Sequence, residues 1–464
     1  MTDAVSEERA MKTGKPATSA PSLANVDQLP VYGQGPKNSS IQAAELFPRI
    51  ATEIAGETNK DLLVYLHVPF CQYKCSFCDW VADLPTSVLI SGPDVRQTYV
   101  DALCRQIRHL GPQLMAAGYV PRYIYWGGGT PSRLDGPQIR RIVAVLGESI
   151  DLSRLEEHVM EVTPDSLTPE KLVAMKESGV ARISMGVQSF NPEELRKTGR
   201  GHTPEQADRA VEMMRAVGID NFNLDFIVAF PDQSLSVLRQ TLERAVAHAP
   251  RHLTAYIYRP TPSTTMAKRR KNRPHLQQAS SHMKACFELT QEVLGAAGYQ
   301  EYSLGYFSRS EADRCAGEMY YFHLKGDWMG FGGGAVSVLG HHRLKNSHAN
   351  LHRFMEYPLS FDSCERLKER QVEAAIYTLR QSLATEMGVN FENFRRFFGF
   401  PFGDVRNHPA VKAYLGYYRY CGAEFRETET NLSISPETRA KAYINVWAKA
   451  GTRPDRISVL EQGA

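Results

Sequence analysis

The sequence predicts an α/β fold, an incomplete (β/α)6 barrel followed by a mostly helical C-terminal domain. Three observations predict it. Six short apolar or β-branched runs alternate with helical stretches between residues 62 and 258, the pattern of parallel β/α units. Six units rather than eight leave a barrel open on one side. After Pro260-Thr-Pro-Ser263 the alternation stops, and from about residue 366 the chain reads as mostly helical.

Taken in order, residues 1–40 are rich in Ser, Thr, Pro, Gly and charge and lack hydrophobic periodicity, which predicts a disordered N-terminal arm. A helix is expected near 41–55. The six strands are Leu62–Val68, Arg122–Trp126, His158–Val162, Arg182–Gly186, Asn223–Val228 and Leu253–Tyr258. Helices are read at Val95–Leu110, Pro137–Ser149, Pro169–Ser178, Pro204–Gly218 and Ser234–His248. The expected domains are a barrel over 41–265, a barrel extension with a Gly-rich cofactor segment over 266–365, and a helical substrate-capping domain over 366–464. Within the last, Phe391, Phe394, Phe397, Phe398, Phe400 and Phe402 read as exposed-looking aromatics that could close the barrel mouth, with a plain place in the core as the alternative for each. The basic run from Lys268 to Arg273 reads as a solvated helix face.

The balance of 54 basic and 51 acidic residues, net +3, gives no argument for nucleic acid as a partner. No apolar run approaches the roughly 18 residues of a membrane span. The N-terminal residues carry Asp3, Glu7 and Glu8 among Lys and Arg, unlike a secretory or transit signal, so a cytoplasmic location is expected. There thiols stay reduced, and clustered cysteines point to metal.

Of eight cysteines, three fall within eight residues as Cys71-Gln-Tyr-Lys-Cys75-Ser-Phe-Cys78. Structural zinc wants four closed ligands, and an electron-transfer cluster uses four cysteines. Three cysteines on one loop would leave one iron of a [4Fe–4S] cluster open. Buried apolar cysteines and a zinc site completed by His67 are the alternatives. The loop follows the first strand, at the end of a barrel where chemistry is built. Near the same rim stand Gly127-Gly128-Gly129-Thr130-Pro131 after strand two, Glu161 at the end of strand three, Gln188 after strand four, Asp225 on strand five, and Arg200.

The three-cysteine string, with Phe77 before its last cysteine, resembles the radical S-adenosylmethionine (SAM) signature. The resemblance implies a radical-SAM barrel in which a [4Fe–4S] cluster on Cys71, Cys75 and Cys78 binds SAM. An electron then splits its S–C5′ bond, and the deoxyadenosyl radical takes hydrogen from substrate. Tyr65-Leu-His67-Val-Pro-Phe-Cys71, Trp126-Gly-Gly-Gly-Thr-Pro131, Arg182-Ile-Ser-Met-Gly-Val-Gln188-Ser-Phe190 and Gly332-Gly-Gly-Ala-Val-Ser337 resemble the oxygen-independent coproporphyrinogen III oxidase family over roughly residues 60–450. That likeness implies two SAM molecules. Tyr65, Gly128, Glu161 and Val336 match contacts to one. Phe77, Gly129, Thr130, Gln188, Arg200, Asp225 and Arg259 match contacts to the other. Tyr65, Glu161 or His323 would handle protons.

The chain also departs from the family. Trp80 stands where the oxidases carry a fourth cysteine, and Ala229-Phe230-Pro231 replaces Gly-Leu-Pro. About 60 residues precede strand one, where the haem-chaperone branch lacks a long extension. The haem-chaperone string His-Asn-x-x-Tyr-Trp is absent, its stretch reading Met319 to Trp328. These departures point to the class C radical methyltransferase and cyclopropanation branch. Its members move a methyl or methylene unit to an sp2 carbon of an unsaturated or heteroaromatic natural-product intermediate. Porphyrinogen decarboxylation, anaerobic haem degradation and haem chaperoning are the alternatives. Flavodoxin or ferredoxin is the implied reductant, with a downstream tailoring enzyme as a possible partner. The aromatic C-terminal domain and Tyr320–His323 are expected to close the barrel mouth.

Overall fold

The computed structural model describes residues 41–57, 59–78, 92–258, 264–271, 280–346 and 351–450. The expectations for the 1–40 arm, Trp80, Arg259 and the end of the basic run lie outside these residues. Strands are numbered in chain order: β1 (Ile41–Gln42), β2 (Asp61–Val68), β3 (Val120–Gly128), β4 (Glu157–Val162), β5 (Arg182–Gln188), β6 (Phe222–Val228), β7 (His252–Ile257), β8 (Gln300–Ser303), β9 (Tyr306–Ser308), β10 (Asp327–Phe331), β11 (Val336–Leu339), β12 (His342–Asn346) and β13 (Ser360–Arg366). They form one sheet in the order β1-β13-β12-β11-β10-β2-β3-β4-β5-β6-β7-β9-β8. The run from β10 to β7 is parallel and its flanks are antiparallel. The six strands read from the sequence are therefore the centre of a wider sheet, which keeps two free edges and does not close.

Alternation explains the sheet's two faces. On β2, Leu62, Val64, Leu66 and Val68 join the core built with Tyr99, Leu103 and Ile107 of the helix Pro93–Ala116. Leu63 and Tyr65 face the other way, toward Tyr320 and Trp328. The sheet curls strongly. Within one short helix and its cap, the Tyr320 hydroxyl reaches the Asp61 carbonyl on β2 (2.6 Å) and the Cys315 N–H reaches the Tyr302 hydroxyl on β8 (3.2 Å), strands that seven spacings would put about 33 Å apart in a flat sheet. Proline-initiated helices pack outside, with Thr168, Asn191 and Thr203 accepting N-cap hydrogen bonds.

Several expectations are corrected. The helix expected near 41–55 begins after a two-residue strand, at Ala43–Glu53. The helix read as Val95–Leu110 continues to Ala116 through Gly111 and Pro112. A Cβ at Gly111 would sit 2.7 Å from the Ser149 Cβ, so this glycine serves helix–helix approach rather than a break. Tyr320–His323 does not close the mouth. The helix Ala316–Phe322 lies at the opposite end, where the Tyr320 hydroxyl donates to the Asp61 carbonyl at the start of β2 (2.6 Å) and the Gly317 N–H donates to Glu157 at the start of β4 (2.9 Å). It is a floor, not a lid.

The C-terminal aromatics are corrected too. Phe394, Phe397, Phe398, Phe400 and Phe402 are buried in a core of their own, and Trp328 stacks on Phe397 at 5.2 Å. This region also holds a three-stranded antiparallel sheet made by Val389–Asn390, Asn431–Ile434 and Phe425–Glu427. Phe394→Ala should therefore cost about 3–5 kcal/mol of stability, read as a lower denaturant midpoint. A change within about 0.5 kcal/mol, as for an exposed side chain, would contradict this burial.

Candidate active site

The cysteine loop leaves the C-terminal end of β2 and is held by close backbone approach. The Gly129 N–H donates to the Val68 carbonyl (2.8 Å) and the Thr130 N–H to the Phe70 carbonyl (2.7 Å). A Cβ at Gly129 would lie 2.7 Å from the Phe70 carbonyl oxygen. Gly128 has φ +105°, and a Cβ there would strike the His67 ring at 2.6 Å. Only glycine meets both demands. From the other side, the Ser76 N–H donates to the Thr198 carbonyl (2.8 Å), and a Cβ at Gly201 would collide with the Tyr73 ring at 2.4 Å.

Cys71, Cys75 and Cys78 are half-buried and take part in no disulfide. Thr130 Oγ1 donates to Cys71 Sγ (3.7 Å) and Arg200 Nη1 to Cys75 Sγ (3.5 Å). Among the described residues no three His, Cys, Asp or Glu side chains gather closely enough to hold a single metal ion. His67 Nδ1 instead pairs with the Tyr65 hydroxyl at 3.2 Å, so the zinc alternative is not met. Three thiols on one loop, two of them with hydrogen-bond donors on their sulfurs, fit a cluster whose irons each take a different ligand.

Arg200 links this loop to the sheet. It also donates to the Gly186 carbonyl and lies over the Tyr73 ring at 5.5 Å; the Tyr73 hydroxyl donates to Asp165 (3.0 Å). Gln188 has φ +69° and sits where the β5–β6 register shifts, a bulge that re-aims its side chain. Among the described residues neither its buried Oε1 nor the Arg200 Nε has a hydrogen-bond partner; both suit a bound ligand. Asp225, paired in register with Gly186, accepts from Ser184 (2.8 Å) and Asn223 (2.7 Å). Phe77 packs on Phe230 at 5.9 Å. Phe77, Thr130, Gln188, Arg200 and Asp225 thus sit on elements that meet the cysteine loop or the strands beside it.

The other expected set follows β2. Tyr65 stacks on Tyr125 at 6.4 Å, and the Tyr125 hydroxyl donates to Glu161 (2.9 Å). Tyr65 is in register with Gly330, whose Cβ position would meet the Val336 carbonyl oxygen at 2.5 Å. Burial, then the charge of Asp225, pushes the Glu161 carboxyl up to about 8. Burial, with Glu161 next, raises the Tyr65 phenol. His323 is not joined to these groups by any hydrogen bond among the described residues. It caps the floor helix, its carbonyl accepting from Asn393 (2.9 Å), and burial lowers its imidazole to about 4.

The sequence reading missed Tyr125, Tyr256, Tyr73 and Glu318. Tyr125 shares the inward alternation of β3, a signal that was present. Ala229 has φ +64°, the left-handed region in which the family's glycine is at ease and an alanine is strained by about 1–2 kcal/mol.

A family model for the radical SAM superfamily matches residues 65–245. The heme chaperone HemW of Escherichia coli (strain K12) is 32% identical over 274 residues, 59% of this chain and 69% of the relative. The chain belongs to the radical SAM superfamily, in the family of HemW and HemN. The oxygen-independent coproporphyrinogen III oxidase of Salmonella typhimurium (strain LT2) is 28% identical over 303 residues, 63% of this chain and 65% of that protein. The structure of HemN, the coproporphyrinogen III oxidase of Escherichia coli, covers 93% of this chain and 98% of its own, with a TM-score of 0.67 at 22% identity; it shows the same fold. Membership implies a [4Fe–4S] cluster and SAM. These relatives bear the names of haem chaperones and oxidases, and they add nothing to the expected methyltransferase branch. No helix among the described residues is long and apolar enough to cross a membrane.

The Glu161 shift gives a pH dependence. The folded chain keeps a proton that the unfolded carboxyl releases near 4.5, so this group's contribution to stability is full below that value and is lost as pH rises toward about 8. Measured against Glu161→Gln, the melting temperature of the cluster-free chain should fall between pH 5 and 9. Parallel curves for the two proteins would contradict the shift.

Proposed function

We propose that the chain is a radical SAM enzyme acting on a tetrapyrrole, in the manner of a coproporphyrinogen dehydrogenase. The single observation that carries the enzymatic part is the row of inward-facing ionisable groups between the two ends of the curled sheet. The cysteine loop stands at one end of the curled sheet and the helix Ala316–Phe322 at the other, with Tyr65, Tyr125, Glu161 and Asp225 between them. The names of the relatives, haem chaperone and coproporphyrinogen oxidase, support the substrate class.

When bound, the cluster supplies the electron that splits SAM. This chain's residues do the rest. Arg200 and Thr130 donate to the Cys75 and Cys71 sulfurs and would steady their negative charge when these hold the cluster. Gln188 and Asp225 offer acceptors suited to ribose hydroxyls and an amino group; Arg200 suits a carboxylate. Glu161, protonated near neutral pH, can give a proton to a bound group or take one back, with Tyr125 fixing its orientation. The apolar wall Phe77, Phe230 and Tyr258 excludes water from the mouth, which a carbon radical requires.

A second reading, methyl or methylene transfer from a second SAM, draws on one observation: the residues matched to that molecule, Gln188, Arg200 and Asp225, gather around Gly186. Flavodoxin or ferredoxin as reductant is part of the same proposal.

An anaerobic incubation of the reconstituted chain with reductant, SAM and coproporphyrinogen III tests it. The expected products are 5′-deoxyadenosine and carbon dioxide in matched amounts. S-adenosylhomocysteine with a methylated product would replace this reading with the second. Stoichiometric haem binding without SAM consumption would overturn the enzymatic reading in favour of a chaperone.

A further inference from the structure

The basic run that begins at Lys268 has no part in the chemistry above. From Arg244 to Phe287 the sequence carries nine Lys and Arg and no Asp or Glu, in a chain whose net charge is only +3. The structure seats the start of that run on the cysteine loop. The helix Thr265–Lys271 opens with the Met266 N–H donating to the Ser76 carbonyl (2.8 Å). Met266 and Phe77 pack together against Ile227, Phe230 and Tyr258, and Thr264 Oγ1 accepts from the Ala267 N–H (3.2 Å) to fix the turn. Lys268 and Arg269, the next two residues, are exposed.

A second basic helix end is tied to the same residue. The Ser76 N–H and hydroxyl both donate to the Thr198 carbonyl (2.8 and 3.1 Å). Thr198 ends the helix Pro192–Thr198, whose last turn carries Arg196 and Lys197, both exposed. Lys197 pairs with Glu193 one turn back (3.1 Å); the helix Thr265–Lys271 has no acidic residue of its own. Ser76 lies between Cys75 and Cys78, so both basic ends are fastened between two of the three thiols. The cover there is thin. Gly199 is exposed, and a Cβ on it would lie 3.9 Å from the Cys75 Cα and 3.5 Å from the Lys74 carbonyl oxygen. Bare glycine backbone lies between solvent and the Cys75 backbone.

An electron has to reach the cluster from outside, and its transfer falls off steeply with distance. A donor must therefore seat its redox centre against a thin part of the wall. Basic side chains around that part steer an acidic partner and set its register. We propose that Arg196, Lys197, Lys268 and Arg269 form the docking surface for an acidic protein electron carrier, which reduces the cluster across the contact of Gly199 with Cys75. The carrier loses one electron and the cluster gains it; no atom is transferred. Nucleic acid would also meet this charge, but nothing in its chemistry calls for a seat on the loop that holds the cluster. The proposal rests on the cluster and on a protein reductant, and not on the tetrapyrrole.

Oxidised flavodoxin, an acidic carrier, is titrated by calorimetry into the reconstituted full chain at low and high ionic strength. Its reduced form is then mixed with the same chain, and loss of the cluster's visible absorbance is followed. Arg196→Glu combined with Arg269→Glu should weaken binding and slow reduction about tenfold at low salt, the gap closing at high salt as exposed charges are screened. Arg108→Glu with Lys412→Glu makes the same change in net charge at exposed positions on other helices and should stay within about twofold of the unaltered chain. Photoreduced deazariboflavin, a small uncharged reductant, should reduce all three alike. Melting temperature and iron content check folding, and Lys268→Gln with Arg269→Gln decides if the first variant does not fold. Equal losses in the two charge-reversed chains, or unaltered affinity and rate in the first, would overturn the docking surface. A DNA duplex bound more tightly than flavodoxin at the same salt would overturn it in favour of nucleic acid. A cluster that deazariboflavin reduces and flavodoxin does not would overturn the protein reductant with it. If coproporphyrinogen fails as a substrate while reduction by flavodoxin depends on Arg196 and Arg269, the tetrapyrrole reading falls and this one stands.

Discussion

The closeness with which two backbone segments pass beneath the cysteine loop governs this site. Gly128 and Gly129 run under His67, Pro69 and Phe70 at distances no side chain would tolerate, and Gly201 passes against the Tyr73 ring. These contacts fix a short loop of half-buried thiols at the C-terminal ends of parallel strands. They also bring Thr130 to Cys71 and Arg200 to Cys75. Had either glycine turn carried a side chain, the sulfurs would sit elsewhere, and the donors that complement them would point at nothing.

From that seat the chamber is built downward. Parallel strands alternate apolar residues toward the outer helices with Tyr65, Tyr125, Glu161 and Asp225 toward the inside. Enclosing several ionisable groups without sealing them in packing is costly unless they stay neutral or find partners. The chain does both. Glu161 is held protonated near neutral pH, and Asp225 is given two hydrogen-bond donors. Ala229 and Gln188, non-glycine residues at positive φ, show local strain beside the site, as where structure over-determines a functional position.

Much of this was legible in the sequence, for physical reasons. Central strands buried on both faces leave near-continuous apolar runs, so the six strands were read to within a residue or two at most ends. β5 was read short because a bulge, which leaves no compositional mark, carries it to Gln188. The cysteine string was legible because three thiols on one loop have few uses. The floor helix was misread as part of a lid because seven residues rich in tyrosine carry no sign of which barrel end they reach; only the pairing of β10 beside β2 sends them to the bottom. For the phenylalanines after residue 390 the core alternative is the one that holds, Phe394, Phe397, Phe398, Phe400 and Phe402 being buried. They cover one another within a few residues and are covered by Trp328, about seventy residues earlier in the chain. Family resemblance supplied what residue chemistry could not, the assignment of Gln188, Arg200 and Val336 to cofactor contacts. It pointed beyond the relatives in its choice of branch.

The central claim is that three cysteines hold a cluster with one iron left open to a small molecule. Mössbauer spectroscopy of the 57Fe-reconstituted chain, with and without SAM, tests it most directly. The account predicts about four irons per chain, of which one changes its isomer shift on SAM addition while the other three do not. A spectrum indifferent to SAM, or a Cys75→Ala chain that retains the full iron content and the same response, would contradict it.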